Sequence, residues 1–332
     1  MSDERRPAPP EQAADHDQPS PGRQADMKLQ PDSDLSSYKA AGKLAGKAAL
    51  VTGGDSGIGR AVSIAYAMEG ADVAIAFDKS DDDAAETARV VESKGRRCLR
   101  VKGDVSRKAE CDRLVQETVR AFGRLDILVN NAAVFEGGPI GEITEEVLER
   151  IFRVNVFAAV HLVQAALPRL EEAKGCVINT SSSTSILGKR GAIPYSSTKG
   201  ALNVLTKSLA LELAERGVRV NAVVPGPFWT PAIATSDRET VESLGTLTTM
   251  KRAGQPEEIA PAYVPHGRHP RGGPALRGVD PGGGQPTRSS AGPFKRSHST
   301  AASRCGVRRA TCAQKRDEWF NSRRCATSCA TT

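Results

Sequence analysis

The sequence contains no run of about 18 apolar residues, the length needed to cross a membrane, so it predicts no membrane span. The polar N-terminus lacks the apolar core of a signal peptide, so no secretory leader is expected. Its seven cysteines include no CxxC pair, which argues against a zinc site and a disulfide framework. We therefore predict no metal site and a cytoplasmic protein with reduced thiols.

The basic character of the chain is confined to one end. The formal net charge is +7, but residues 265–332 alone hold 13 basic against 3 acidic side chains. The charge therefore says nothing about what a folded domain binds. Non-specific attraction of a polyanion by this tail stays a third-ranked function, because no folded nucleic-acid reader or interleaved aromatic residues accompany it.

Both ends of the chain differ in composition from its middle. Residues 1–42 are rich in Pro, Asp, Gln and Ser, which predicts a disordered arm or a segment lying on a neighbouring subunit. Residues 265–332 have neither helical nor strand periodicity and predict a disordered tail. The abrupt change near Val264 suggests an out-of-frame translation, which translating the gene in its other two frames would test.

The residues between these segments, 43–264, alternate apolar runs with stretches of helical periodicity. This alternation predicts an α/β fold: a three-layer, doubly wound parallel sheet of the Rossmann type with helices on both faces. Six apolar runs predict its strands, at 48–51, 71–77, 98–101, 125–129, 177–179 and 218–224. Ligands of such sheets bind beyond the carboxyl ends of the strands.

A glycine-rich turn follows the first predicted strand. After Thr52 come Gly53, Gly54, Gly57 and Gly59, and then helical periodicity begins. Such a turn brings a phosphate onto the free N–H groups and the positive dipole end of a helix, and glycines permit close backbone approach. The turn thus predicts a phosphate seat, with an unliganded glycine turn as the alternative.

Tyr195 and Lys199 lie four residues apart at the start of a predicted helix, which puts them on one face. An ammonium beside a phenol lowers the phenol pKa and gives a proton donor usable near neutral pH. Ser182 lies 13 residues upstream at the end of a predicted strand, flanked by Ser181 and Ser183. Its hydroxyl is placed to bind a substrate oxygen, although an incidental Tyr/Lys pair is the simpler explanation of this spacing alone.

Six motifs in order resemble the short-chain dehydrogenase/reductase family over residues 43–264. TGGDSGIGR (52–60) resembles its cofactor turn, GDV (103–105) its adenine-contacting segment and NNAA (130–133) its NNAG. INTSS resembles the family's catalytic strand, YSSTK its catalytic helix and PGPFWT its PG-x-x-x-T segment. The polar N-terminus with TGGDSGIGRA and GPxWTP is similar to a subgroup described as general-stress or glucose/ribitol dehydrogenases.

The resemblance implies an NAD(P)-dependent oxidoreductase that transfers hydride between nicotinamide and a carbonyl or secondary alcohol. Tyr195 would be the general acid/base, Lys199 would lower its pKa and hold the nicotinamide ribose, and Ser182 would orient the reacting oxygen. Asn155 would support a proton-relay water, and a mid-helix Asn also distorts a helix. Cofactor contacts are implied for Thr52, Gly53, Asp55, Ser56, Gly57, Ile58, Gly59, Asp78, Lys79, Asp104, Val105, Asn131, Ala132, Tyr195, Lys199, Pro225, Gly226, Phe228 and Thr230.

The end of the second predicted strand leaves NAD and NADP open. It reads Phe77-Asp78-Lys79, which offers an acidic residue for the ribose 2′-hydroxyl and a basic one for a 2′-phosphate. Lys79 and Arg60 favour NADP slightly, while Arg60 is equally compatible with a solvated helix position.

The resemblance stops after Val264, where the family continues with an apolar helix and a seventh strand. A sheet without its last strand is therefore predicted, with the sixth strand as an exposed edge and the family's homo-tetramer in doubt. A nucleotide-binding protein without turnover is the alternative function. A small alcohol or carbonyl substrate is implied, with no membrane and no specific nucleic acid, and an apolar lid is predicted from Phe228, Trp229, Ile233 and Leu247.

Overall fold

A computed structural model describes residues 15–19 and 22–267 of the chain. The predictions of a disordered tail and of a missing last strand concern residues that lie almost wholly outside the described ones.

Six parallel strands form one sheet in the order β3-β2-β1-β4-β5-β6 within the described residues. The strands are β1 Ala48–Thr52, β2 Asp72–Phe77, β3 Cys98–Lys102, β4 Ile127–Asn130, β5 Cys176–Thr180 and β6 Arg219–Val223. The strand order reverses between β1 and β4, and this switch point opens a crevice at the carboxyl ends of the strands. The predicted doubly wound α/β fold is confirmed.

Helices cover both faces of the sheet. They are α1 Gly57–Met68, α2 Asp81–Ser93, α3 Lys108–Phe122, α4 Glu145–Phe152, α5 Ala158–Ala173, α6 Thr184–Leu187, α7 Ile193–Leu213, α8 Pro231–Ala234, α9 Arg238–Glu242 and α10 Pro256–Gly267. Successive strand residues serve opposite faces: Val51 packs in the core under α1, α2 and α10, and Leu50 in the core under α3, α5 and α7. This two-sided burial explains the continuous apolar runs of the strands.

One π-helical turn interrupts the long helical stretch Glu145–Ala173. A π-helical turn, Arg153–Phe157, separates α4 from α5, and α5 continues through Pro168 to Ala173. The stretch Glu145–Ala173 contains an 18-residue segment with a mean hydropathy of 1.4 and is, among the described residues, the one helix long and apolar enough to cross a membrane. A core helix has the same length and composition, and Leu162 lies in the core.

The disorder predicted for the N-terminal arm is wrong for its described part. Met27 and Leu35 are buried, and the Asp15 carboxylate accepts hydrogen bonds of 2.8 Å from the N–H groups of Lys28 and Leu29. The few apolar residues of the segment are therefore enough to dock it, because carboxylates satisfy its backbone donors locally. We call residues 22–42 the N-terminal strap.

Candidate active site

The glycine turn between β1 and α1 is tightly folded. Gly53 and Gly57 have φ of +61° and +51°, and a Cβ on Gly59 would lie 1.8 Å from the Gly53 carbonyl oxygen. The turn leads into the N-terminus of α1, whose first-turn N–H groups, among them those of Ile58 and Gly59, lie at the helix end that suits a diphosphate. The residues present thus fit the dinucleotide that the motifs predict.

Thr52 and Asn131 shape this seat from beneath. The Thr52 hydroxyl donates to the Val129 carbonyl at 3.2 Å and accepts from the N–H groups of Asn131 and Ala132 at 2.9 and 3.0 Å. The Asn131 carboxamide donates to the Thr52 and Gly53 carbonyls at 3.0 and 3.2 Å. Both side chains therefore hold the end of β1 against the turn after β4. Most of their hydrogen-bonding groups are bound within the protein.

Arg60 is buried and bound within the protein. The two predictions for it, a cofactor phosphate ligand and a solvated helix residue, are therefore both wrong. Its buried guanidinium donates to the Asp55 carbonyl at 3.0 Å and to the Thr87 hydroxyl at 2.9 Å. It also pairs with the Asp83 carboxylate at 3.2 Å. Arg60 thereby ties the glycine turn to α2, and burial raises the pKa of the nearby Asp55 carboxyl to about 6.

The residues predicted to contact the adenosine end follow the carboxyl ends of β2 and β3. Phe77 is buried at the end of β2, and Asp78 and Lys79 follow it as exposed side chains. The Asp104 carboxylate accepts from the Ser106 N–H and hydroxyl at 2.9 and 2.8 Å, so it braces its own turn. Val105 is buried in the core beside it.

Ser182, Tyr195 and Lys199 converge at the carboxyl end of β5. The Ser182 hydroxyl lies close enough to Tyr195 to lower its pKa, and it accepts from the Thr184 N–H and hydroxyl at 3.2 and 3.1 Å. The Lys199 ammonium lies 5.5 Å from the centre of the Tyr195 ring and donates to the Thr180 carbonyl at 2.8 Å. The first turns of α7 and the end of β5 thus bring together a phenol, a hydroxyl and an ammonium.

The expected lowering of the Tyr195 pKa is not observed. Burial raises the pKa of Tyr195, and the hydrogen bond from Ser182 opposes that shift without outweighing it. Burial also lowers the pKa of Lys199 to about 8. The ammonium is directed to the Thr180 carbonyl rather than to the phenol oxygen, which explains why it does not offset the desolvation of Tyr195.

Lys199 should make the stability of the fold depend on pH. Its pKa is about 8 when folded against 10.5 unfolded, so the unfolded chain binds more protons between these values. The free energy of unfolding should therefore rise with pH across this window, by roughly 3 kcal/mol relative to a Lys199→Met variant. Denaturant unfolding measures this, and Lys207→Met, at an exposed position of α7, is the control. Parallel pH profiles of wild type and Lys199→Met would refute it.

Asn155 lies in the π-helical turn, so the predicted helix distortion is observed. Its carboxamide accepts from the Val134 N–H at 2.9 Å and donates to the Val134 carbonyl at 3.0 Å. It also donates to the Thr198 hydroxyl at 3.1 Å. Asn155 therefore joins the loop after β4 to α7, the helix that carries Tyr195 and Lys199. Its support of a proton-relay water stays a prediction.

We call residues 225–254 the lid segment. It lies over the glycine turn, but Trp229, which was predicted to cover the substrate, is buried away from the crevice. A Cβ on Gly57 would lie 3.2 Å from the Thr230 side chain, so the two predicted cofactor residues are neighbours. Trp229 is fully buried in a cluster with Met27 of the N-terminal strap and does not face a substrate. Leu247 is exposed. Pro225 accepts from the Ser183 N–H at 2.8 Å, which joins the lid to the catalytic loop.

Three residues outside the predicted set support the site. Gln24 of the N-terminal strap accepts from the Gly57 N–H at 3.0 Å. The Phe135 ring packs edge-on against Tyr195 at 5.2 Å, and Thr198 bonds Asn155. Thr198 lies within YSSTK, but nothing in the local sequence marks Gln24 or Phe135, because their partners are distant along the chain.

The sheet order, the glycine turn at its switch point and the phenol–ammonium pair at the same edge define a dinucleotide-dependent redox protein. Residues 47–241 match the family described as short chain dehydrogenase. The chain belongs to this family and is an NAD(P)-dependent oxidoreductase acting on small alcohols or carbonyl compounds. The resemblance drawn from the motifs is confirmed.

Relatives and solved structures agree with this assignment. The chain is 46% identical over 248 residues to General stress protein 39 of Bacillus subtilis, covering 74% of this chain and 86% of that protein. It is 44% identical over 252 residues to the chloroplastic NADPH-dependent aldehyde reductase 1 of Arabidopsis thaliana, covering 74% and 87%. A short chain dehydrogenase from Burkholderia cenocepacia in complex with NADP superposes with a TM-score of 0.63 at 33% identity, covering 67% and 90%.

Proposed function

We propose that this protein is an NADP(H)-dependent reductase of aldehydes or ketones, with Tyr195 as the general acid. The observation that carries the proposal is the convergence of Ser182, Tyr195 and Lys199 beside the glycine turn. A nicotinamide bound in the crevice would supply the hydride. A catalytically silent nucleotide-binding protein is disfavoured, because all three groups of the site are assembled.

Each side chain of the site has a distinct part in the reaction. The Tyr195 hydroxyl donates its proton to the oxygen of the substrate carbonyl, and the Ser182 hydroxyl holds that oxygen by a hydrogen bond. The Lys199 ammonium is held by the Thr180 carbonyl 5.5 Å from the centre of the Tyr195 ring, so once the proton has left, its charge partly offsets the cost of the buried phenolate. Because burial raises the pKa of Tyr195, the phenol is protonated before reaction, as reduction requires.

The preference for NADP rests on the end of β2. The carboxylate that would bind a ribose 2′-hydroxyl in an NAD enzyme is replaced by buried Phe77, and Lys79 is exposed nearby. We assign Lys79 to the 2′-phosphate and leave Arg60 out, since its guanidinium is used internally. The NADP complex and the NADPH-dependent reductase among the similar proteins support this choice.

The apolar surroundings of Tyr195 favour a carbonyl compound with an apolar group over a polyol. Phe135 packs against the catalytic ring. Ile186 and Leu187, in the helix directly after the Ser182 loop, are 68% and 75% exposed. Apolar side chains left in solvent at the mouth of a site gain free energy when an apolar substrate covers them.

Turnover with paired cofactors tests the proposed function. We expect NADPH oxidation with alkyl and aromatic aldehydes, a kcat/KM at least about tenfold higher for NADPH than for NADH, and weaker activity on glucose or ribitol. Lys79→Glu should lower the ratio of the NADPH to the NADH kcat/KM, and Lys94→Glu, at the exposed C-cap of α2, should not. No turnover with either cofactor on any carbonyl compound would overturn the proposal. The tetramer and the cytoplasmic location stay predictions.

A further inference from the structure

The N-terminal strap contacts the glycine turn directly. The Gln24 side chain is buried, and its Oε1 accepts from the Gly57 N–H, the first donor of α1, at 3.0 Å. This donor belongs to the helix end on which a diphosphate would lie. A residue far from every recognised motif thus completes the cofactor turn.

Asp83 of α2 provides a second connection between the N-terminal strap and the glycine turn, besides the bond from Gly57 to Gln24. Its carboxylate accepts from the N–H groups of Gln24 and Ala25 at 2.8 and 2.9 Å. The same carboxylate pairs with Arg60, whose guanidinium donates to the Asp55 carbonyl of the turn. The position of Gln24 is therefore coupled to the backbone of the glycine turn through buried hydrogen bonds.

The strap also holds the lid. The Trp229 indole donates to the Leu29 carbonyl at 3.0 Å, and Met27 packs in the same cluster as Trp229. A Cβ on Gly22 would lie 2.2 Å from the Pro231 carbonyl oxygen, so the strap runs directly against α8. The glycine turn and the lid segment, which are neighbours at Gly57 and Thr230, therefore both bind to the N-terminal strap.

We propose that Gln24 is a positioning residue for dinucleotide binding: it fixes the first N–H of α1 while its segment holds the lid against the turn. The seat is then assembled before the dinucleotide arrives, which lowers the ordering cost of binding. This inference rests on the proposed function.

Two substitutions of Gln24 separate positioning from simple structural support. Gln24→Ala removes the acceptor and should raise the Kd for NADP about tenfold, the cost of one buried hydrogen bond. Gln24→Glu keeps an acceptor for the Gly57 N–H but puts a carboxylate beside the diphosphate seat. Its apo protein should melt closer to wild type than that of Gln24→Ala, yet bind NADP more weakly still, and salt should reduce this extra loss.

Calorimetric titration of NADP into the full-length protein, with thermal unfolding of each apo protein, is the experiment. The KM for NADPH should rise in both variants while kcat stays within about threefold, since neither touches the reacting atoms. Lys28→Ala, at an exposed position of the strap, is the control and should bind NADP as wild type does. Wild-type affinity in both Gln24 variants, or restoration of wild-type affinity by Gln24→Glu, overturns the inference. Absence of binding by the wild type itself would instead overturn the proposed function.

Discussion

Replacement of Tyr195 with Phe should lower kcat for carbonyl reduction by a factor of about 10² to 10⁴, the contribution of a positioned general acid. The substitution keeps the edge-on contact with Phe135 and the ammonium of Lys199 above the ring, and it removes only the hydroxyl. Binding of NADP should therefore persist, and the rise in melting temperature at saturating NADP should match that of the wild type.

Tyr66→Phe is the matched control for this variant. Tyr66 is a buried tyrosine of α1 whose hydroxyl donates to the Tyr263 carbonyl at 3.2 Å. Its loss should lower the free energy of unfolding by about 1 kcal/mol and leave kcat unchanged. A kcat of Tyr195→Phe within about threefold of wild type would remove Tyr195 from the role of general acid.

Gly59→Ala should abolish measurable binding of the dinucleotide. The added Cβ would lie 1.8 Å from the Gly53 carbonyl oxygen and 2.7 Å from the Asn131 carboxamide nitrogen, so the turn must open. We expect an increase in Kd for NADP of more than about hundredfold and a destabilisation of about 1–3 kcal/mol, typical of overpacking at a close contact. Calorimetric titration and denaturant unfolding measure the two effects.

Gly141→Ala gives the matched comparison for that substitution. A Cβ on Gly141 meets no atom within 4 Å, and its backbone has no positive φ. This variant should bind NADP and unfold as the wild type does. If Gly59→Ala bound NADP with wild-type affinity, the turn would not be the seat of the diphosphate.

The sheet and the proximity of Tyr195 to Lys199 were predictable because their signals are local. Parallel strands buried on both faces give continuous apolar runs, and YSSTK puts Tyr195 and Lys199 on one face by helical geometry alone. The position of Ser182 was predictable for the same reason, since it lies two residues after a buried strand.

Arg60 and Gln24 were not predictable, because their partners lie far away in sequence. Arg60 bonds Thr87, 27 residues on, and Gln24 bonds Gly57, 33 residues on. Composition likewise predicted a disordered N-terminus. The contact that orders it, the packing of Met27 with Trp229, joins residues far apart in the sequence and forms only when the lid is folded. The prediction of a lowered pKa for Tyr195 was wrong for a related reason. The spacing indicates that an ammonium is near, but burial, which the local sequence does not show, decides the direction of the pKa shift.

Transfer of deuterium from labelled NADPH tests the central claim most directly. With both hydrogens on the hydride-donating carbon of the nicotinamide replaced by deuterium, wild-type protein should reduce an aldehyde to an alcohol carrying one deuterium on its former carbonyl carbon, one per NADPH consumed. Mass spectrometry of the product measures this. Alcohol formed without the label, or consumption of NADPH without labelled product, would contradict direct hydride transfer in this site.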